Sequence, residues 1–238
     1  MSYLDTVIDF SEGYIKKYNV NVLNYEVGEA IEGGRYVLPS SRLFPISLSK
    51  KVKPRSLTLE LEFIEKNARE VDTLIAEFCN DIQDGVDIHL PDGYGYFCVI
   101  DKVSSAKQIS SWIRTISIEF VCIRHGTKAI VNATNEMSFY VGGMIDTEAV
   151  VTIVPKTTPT EATVIVVDSK GNEMTNVTVK NIESTVIVDG ISTKVTQDGA
   201  NKFVDTDLFE FPKLKAGKNT ISFTGDVSVN IAYYPLYL

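Results

Sequence analysis

Histidine and cysteine could carry catalysis or bind a metal, and both are scarce. The sequence has two histidines, His89 and His125, so any Ser-His-Asp or Cys-His mechanism must use one of them. Cys122 precedes His125 by three positions, but two ligands do not make a zinc site, which needs three or four. We interpret this pair as a strand end followed by a polar turn. His89 lies in the alternating segment Val86–Leu90 and is interpreted as a surface or hydrogen-bonded histidine.

The three cysteines, Cys79, Cys98 and Cys122, are odd in number and widely spaced. This pattern is unlike the disulfide framework of a small secreted domain. Each cysteine has apolar neighbours within a periodic segment, as expected of buried structural thiols. We therefore predict reduced thiols in a reducing compartment.

Paired carboxylates are the remaining candidates for catalysis. With 31 acidic residues in the chain, such pairs are expected by chance. A glycosidase pair is defined by its spatial separation across a cleft, which a sequence does not show. The sequence has no nucleophile elbow, phosphate-binding loop, dinucleotide fingerprint, zinc-protease motif or EF-hand. We predict no enzymatic activity and no cofactor. The acidic pairs are Asp5/Asp9, Glu60/Glu62 and Asp205/Asp207.

The overall composition is that of a globular protein. Of 238 residues, 44% are hydrophobic and 23% are charged, which excludes collagen-like and disordered chains. The net charge of −8 argues against binding to nucleic acid or to anionic lipid, because both carry negative charge. The longest apolar run, Tyr96–Ile100, is far shorter than the ~18 residues that span a bilayer. Residues 1–10 contain Asp5 and Asp9 and no basic residue, so no secretion signal is predicted.

The composition changes abruptly at His125. Every Arg, His, Cys and Trp lies at or before this residue, and the chain beyond it is rich in Thr and Val. We predict a boundary within 126–138, with an N-terminal domain over 1–130 and a C-terminal domain over 138–238.

The N-terminal half predicts an α+β domain with one amphipathic helix. Leu57–Phe63 and Trp112–Ile123 alternate as half-buried strands do, and a Pro-Asp-Gly turn joins Val86–Leu90 to Gly95–Asp101 as a hairpin. A helix is predicted over Asn67–Asp84, where it would cover the sheet with one apolar stripe. That stripe consists of Ala68, Val71, Ile75, Phe78 and Ile82.

Upstream of this unit, Arg42–Arg55 is the one locally basic stretch. Pro45 and Pro54 disfavour a central strand. A nucleic-acid patch is a weak interpretation because no known binding motif is present. We favour an arm that touches a neighbouring subunit. Its candidate contact residues are Arg42, Phe44, Lys50, Lys51, Lys53 and Arg55.

The C-terminal half predicts an all-β domain. Short β-branched runs alternate with turn segments such as Ser169–Asn172, which is typical of a β-sandwich or jelly roll. The whole chain is therefore expected to be mainly β.

The order of these elements resembles the distal tail proteins (Dit) of siphophages and prophages of Gram-positive bacteria. The resemblance rests on the strand Leu57–Phe63 and the helix Asn67–Asp84, the turn Asp92–Tyr94, the run Phe211–Ser222 and the ending Pro235–Leu238. It covers the whole chain, although no single motif has the specificity of a catalytic signature.

The resemblance implies a structural role in the virion. Family members form a hexameric ring through the N-terminal domain, between tail tube and baseplate, and their galectin-like C-terminal domain faces outward and holds adsorption proteins. The implied partners are further copies of the chain, the tail tube protein, the tail-associated lysin or tail fibre protein and a receptor-binding protein. DNA would be met only in transit through the ring. The implied location is the virion tail tip, after synthesis in the host cytoplasm, without a membrane.

Two other interpretations remain open: a lectin-like adhesion module that uses the C-terminal sandwich, and a hydrolase built on the acidic pairs. Galectins hold sugars with Trp, His, Arg and Asn, and residues 126–238 contain no Trp, His or Arg, whereas Asn and Tyr remain, among them Asn176. Tyr233 and Tyr234 are adjacent in the last strand, so they must point to opposite faces. We predict that the inward tyrosine joins the core and that the domain docks proteins rather than sugars.

Overall fold

A computed structural model describes residues 8–10, 13–29, 31–32, 36–37, 46–47, 51–52, 54–158 and 160–237, with backbone alone for the four pairs between 31 and 52. The chain forms two compact units, Met1–His125 with Leu238 and Gly126–Tyr237. Among the described residues, no helix is both long enough and apolar enough to cross a membrane.

The first unit is built on one antiparallel sheet, in the order β1-β8-β9-β11-β7-β2, with β10 beside β11. The helices are α1 (Tyr14–Lys17) and α2 (Ala68–Ile82). The strands are β1 (Asp9–Phe10), β2 (Asn21–Val27), β3 (Ile31–Glu32), β4 (Tyr36–Val37), β5 (Ile46–Ser47), β6 (Lys51–Val52), β7 (Arg55–Ile64), β8 (Val86–His89), β9 (Gly95–Val103), β10 (Lys107–Gln108) and β11 (Ile113–His125).

The predicted helix is confirmed as α2. Asn67 caps it: the Asn67 side chain accepts a hydrogen bond from the Glu70 backbone N–H at 3.1 Å and donates one to the Glu70 carboxylate at 2.8 Å. Phe78 carries much of the packing, because its ring meets those of Phe10, Tyr18 and Phe63 edge-on, with centroids 6.0, 5.6 and 5.3 Å away. The helix thus covers one face of the sheet, as predicted.

The predicted strands and hairpin of this unit are confirmed as well. The alternation in β7 places Leu57, Leu59, Leu61 and Phe63 in the core beneath α2. The hairpin turn between β8 and β9 is closed by a hydrogen bond from the Leu90 N–H to the Tyr94 carbonyl. Because side chains alternate, the other positions of these strands lie on the sheet face that α2 does not cover.

The second unit is a sandwich of two antiparallel sheets, ordered β12-β23-β14-β17-β18-β19, with β21 beside β14, and β13-β22-β15-β16-β20. Their inner faces share one apolar cluster, which confirms the predicted sandwich. The elements are β12 (Ala129–Ala133), β13 (Glu136–Val141), β14 (Thr147–Pro155), β15 (Thr160–Asp168), β16 (Glu173–Ile182), β17 (Val186–Asp189), β18 (Lys194–Gln197), β19 (Ala200–Asn201), a 3-10 helix (Phe203–Asp205), β20 (Thr206–Leu208), β21 (Lys213–Leu214), β22 (Gly217–Phe223), β23 (Val227–Tyr233) and β24 (Leu236–Tyr237).

The predicted domain limit at residue 130 needs correction. The two units divide between His125 and Gly126. Residue 130 lies inside β12, which pairs with β23 and packs Ala129, Val131 and Ala133 against the core of the second unit. The loop-forming residues 132–135 suggested a linker, but burial of this alternating strand outweighs them.

Candidate interaction surfaces

The sheet face opposite α2 carries an exposed apolar patch. It consists of Phe97 and Val99 on β9 and Val121 and Ile123 on β11, which are 37%, 52%, 43% and 42% exposed. Phe97 is directly opposite Ile123, and Val99 is opposite Val121, so the four side chains are contiguous. We call these four residues the outer-face patch.

A sequence signal for this patch exists within Tyr96–Ile100. In a strand with one solvated face, apolar and polar residues alternate, whereas an unbroken apolar run is typical of a strand covered on both faces. Tyr96 and Cys98 point towards the core on the sheet face covered by α2 and are buried. The alternating positions Phe97 and Val99 point to the opposite face and are also apolar. The run therefore indicates a second covering surface, which sequence analysis missed by considering the run only as a membrane span.

One end of the patch is held by His125. Its ring stacks on that of Phe97, with the centroids 3.9 Å apart, and its Nε2 lies 2.8 Å from the Asp87 carboxylate. The second Asp87 oxygen lies 3.3 Å from His89 Nε2. Gly95 makes this packing possible, because a Cβ there would lie 2.3 Å from His125 Cε1. His125 is 1% exposed, so its role is structural.

The Cys122 and His125 pair cannot act together. Three positions along a strand place side chains on opposite faces, and Cys122 is in the core under α2. Among the described residues, no group of three His, Cys, Asp or Glu side chains could hold a metal ion. The sequence interpretation of this pair as a strand end agrees with this geometry, because His125 is the last residue of β11.

The candidate arm falls mostly outside the described residues, which exclude Arg42, Phe44, Lys50 and Lys53. Short backbone segments are described within it, at 46–47 and 51–52, and before it, at 31–32 and 36–37. Strand β3 pairs with β6, and β4 pairs with β5, in one shared antiparallel register, as in a single hairpin. Lys51 lies in β6 and is paired with Glu32. None of these four strands pairs with the main sheet.

Arg55 belongs to the base of this arm. It begins β7, and its guanidinium donates a hydrogen bond to the Gly28 carbonyl at 3.0 Å. The Gly28 N–H in turn donates to the Ser56 carbonyl at 2.8 Å, which continues the pairing of β2 with β7. The two strands that flank the arm are therefore held together where it begins. From here on, the arm denotes residues 31–52, a wider segment that contains most of the predicted stretch Arg42–Arg55.

In the second unit, a cleft of about 560 Å³ opens beside the edge strand β19. Its apolar lining includes Phe203, Phe211 and Val195, and its polar lining includes Lys194 and Asn201. The Phe203 and Phe211 rings are stacked at 6.4 Å, and Phe203 is 49% exposed. We call this feature the Phe203 cleft. The sequence carries no signal for this cleft, because its lining comes from two separate segments, residues 193–203 and Phe211.

Of the two tyrosines considered for sugar binding, Tyr233 is in the core, as predicted for the inward one. Its hydroxyl donates a hydrogen bond to the Tyr140 carbonyl at 3.3 Å, and burial raises its pKa. Tyr234 follows the last residue of β23 and is half-buried, and its ring lies 6.0 Å from the Lys128 ammonium. These two residues therefore do not form a shared aromatic platform.

One residue in each of two acidic pairs makes a structural contact. Glu62 accepts a hydrogen bond from the Asn21 side chain at 3.0 Å. Asp205 lies 2.7 Å from the Lys202 ammonium, and this contact holds the pKa of Asp205 below its usual range. Asp5 lies outside the described residues.

Comparison with solved structures finds the same fold in phage baseplate proteins. No model of a known protein family matches the sequence, and no curated protein matches it either. Solved structures do match. A chain from the phage P2 baseplate in its activated conformation with Ca has a TM-score of 0.64 and 13% identity, over 93% of this chain and 92% of that one. Its counterpart with Sr has the same TM-score and identity, over 92% and 91%.

The Dit protein (gp 19.1) of phage SPP1 matches over the greatest length of these three. Its TM-score is 0.63 at 13% identity, over 98% of this chain and 99% of that chain. That protein is described as a paradigm of the hub adsorption apparatus in phages that infect Gram-positive bacteria. The chain therefore has a Dit-like fold from end to end, as the sequence resemblance implied.

Proposed function

We propose that this chain is a structural subunit of a phage tail baseplate, the distal tail ring. The observation that carries the proposal is the match to the SPP1 Dit protein over 98% of this chain and 99% of that one. A shared sandwich domain could arise in many contexts, but agreement in both units, in the same order, favours a shared role. The ring would be hexameric and would join the tail tube to the adsorption apparatus.

The first unit offers two surfaces for ring contacts. The outer-face patch is contiguous and apolar, and such patches on soluble chains mark interaction sites. The arm lies between β2 and β7 along the chain, and its four described strands pair with one another and not with the strands of the main sheet. In a head-to-tail ring, one surface of each subunit meets a different surface of the next, so the two surfaces can serve the two sides of one subunit.

The second unit would hold the adsorption proteins. The Phe203 cleft combines the half-exposed Phe203 ring and the partly buried Phe211 ring with a polar rim of Lys194 and Asn201. Aromatic residues at the centre with a polar rim are typical of protein interfaces. The tail tube protein and the tail-associated lysin or tail fibre protein would meet the ring at its two ends. The net charge of −8 suits a channel that lets DNA pass without binding it. The chain would act without catalysis, at the virion tail tip, after synthesis in the host cytoplasm.

Native mass spectrometry of the purified full chain tests the proposal. We expect a hexamer, or two hexamers back to back, at micromolar concentration and moderate salt. A monomer throughout that range would contradict the ring.

A second candidate function is carbohydrate binding at the Phe203 cleft. The half-exposed Phe203 ring favours it, because sugars stack on aromatic faces. Titration of the full chain with galactosides and with host wall polysaccharide distinguishes the two functions. The baseplate proposal expects no saturable binding, whereas saturable binding that is lost in Phe203→Ala would support the lectin.

A further inference from the structure

Two of the three cysteines face each other across adjacent strands in the first unit. Cys98 on β9 and Cys122 on β11 are direct partners in the antiparallel register. Their sulfur atoms are in contact, at 2.7 Å, and each residue is 1% exposed. All three cysteines are free thiols, and Cys79 lies on α2.

This placement matches what a disulfide requires. Directly opposed residues on antiparallel strands have Cα atoms about 4.5–5.5 Å apart. A disulfide joins residues whose Cα atoms are about 4.4–6.8 Å apart. Opposed side chains also point to the same face of the sheet, here the face covered by α2. The bond can therefore form without a change in the register of β9 and β11.

We propose that Cys98 and Cys122 are an oxidisable dithiol that closes into a cross-strand disulfide when the chain leaves a reducing environment. The proposal rests on the strand register and the sulfur contact, and it does not depend on ring formation. Neither cysteine takes part in the surfaces described above. What the disulfide would add is a covalent tie between the two strands that carry the outer-face patch.

The chemistry balances with a peroxide as the oxidant. One thiolate attacks an oxygen of hydrogen peroxide, the O–O bond breaks, and a sulfenic acid and hydroxide form. The second sulfur then attacks the sulfenic sulfur, the S–O bond breaks, and the oxygen leaves as water with the thiol proton. The proton released from the first thiol converts the hydroxide into a second water. Two thiols and one peroxide thus give one disulfide and two waters.

The core environment makes this step slow. Burial raises the pKa of the Cys98 thiol, so little thiolate is present near neutral pH. Both sulfur atoms also lie in the core between the sheet and α2. Peroxide therefore reaches them only when β9 and β11 open locally. Because both effects slow the reaction, we expect the pair to stay reduced during a short exposure to peroxide and to be oxidised during a longer one.

Counting thiols tests the proposal on the full chain. Protein purified with a reductant is freed of it and exposed to a small excess of hydrogen peroxide over hours, and thiols are then counted in denaturant. We expect a fall from three thiols to one, a mass lower by two hydrogens, and a cross-linked peptide pair that holds Cys98 and Cys122. The thermal midpoint should rise by roughly 5–10 °C, because the bond restricts the unfolded chain.

Matched variants identify the partners. Cys79→Ser should fall from two thiols to none, whereas Cys98→Ser and Cys122→Ser should form no internal disulfide. Circular dichroism establishes that each variant is folded. Three thiols retained in the wild type would overturn the proposal. So would a mass gain of oxygen atoms without the loss of two hydrogens, or a disulfide that involves Cys79.

Discussion

Replacing Val99 with lysine should prevent ring assembly without unfolding the chain. Val99 is the most exposed residue of the outer-face patch, at 52%, so a lysine there can extend into water in the isolated subunit. In the ring, its ammonium would be placed in an apolar contact. Val99→Lys therefore separates assembly from folding.

The expected size follows from the exposed area of the patch. Full burial of a Val, Ile or Phe side chain contributes about 1.5–3 kcal/mol. The four patch residues are between 37% and 52% exposed, so covering what remains of them is worth about 3–5 kcal/mol per contact by the same scale. The lysine removes about 1 kcal/mol of that contribution and adds an unpaired charge that costs several kcal/mol. Each contact should weaken at least about a hundredfold.

Sedimentation velocity and native mass spectrometry at micromolar concentration measure the outcome. We expect Val99→Lys to be monomeric where the wild type is a ring, with an unchanged circular dichroism spectrum. Val154→Lys is the matched control, because Val154 is a strand valine 36% exposed in the second unit. It should assemble as the wild type does.

The reasoning would be refuted if Val99→Lys, folded like the wild type, formed the same ring at the same concentrations. Dissociation of both lysine variants would also refute it, since the effect would then reflect added charge rather than the patch.

Three further substitutions test the arm and the core of the first unit and a turn of the second unit. Replacing residues 33–50 by a short turn should leave the thermal midpoint of the first unit unchanged but abolish the ring, as seen by sedimentation. Phe78→Ala should lower the free energy of unfolding by about 3–5 kcal/mol, measured in urea through the fluorescence of the single tryptophan, Trp112, with Leu23→Ala as a milder, partly exposed control. Asp168→Ala should lower the thermal midpoint at neutral pH, because the Asp168 carboxylate accepts hydrogen bonds from the Asn172 side chain and from backbone N–H groups, which lower its pKa. That stability is present above the ordinary aspartate pKa and lost as pH falls through the lowered one, so the two proteins should converge in acid; a constant gap would contradict this.

Local periodicity was enough to predict the longer elements of the first unit, namely β7, α2, β8, β9 and β11. The alternation in β7 and the apolar stripe of α2 identify which side chains of each element share a face, because side-chain direction repeats every two or 3.6 residues. The capping of α2 by Asn67 was also visible, since it involves residues three apart. The composition change at His125 marked the division of the chain to within a few residues.

The functional surfaces depended on which strands become neighbours. Cys98 and Cys122 are separated by a hairpin and a loop, and the strand register brings their sulfur atoms together. The same register aligns Phe97 with Ile123 and lays His125 over Gly95. Such register arises from the burial of whole strands, which is a property of the sheet and not of any short segment.

The predicted domain limit at residue 130 shows where local sequence patterns fail and contacts between distant segments decide the structure. Asn132–Asn135 has the composition of a loop, and the sequence alone predicted a linker there. The structure instead places Ala129–Ala133 in a strand, because β23 offers it a ladder of backbone hydrogen bonds and the sandwich core buries one side of it. Local sequence patterns were thus sufficient for the long periodic elements such as β7 and α2, whereas strand edges and the surfaces between strands required the folded chain, because both depend on contacts between distant segments.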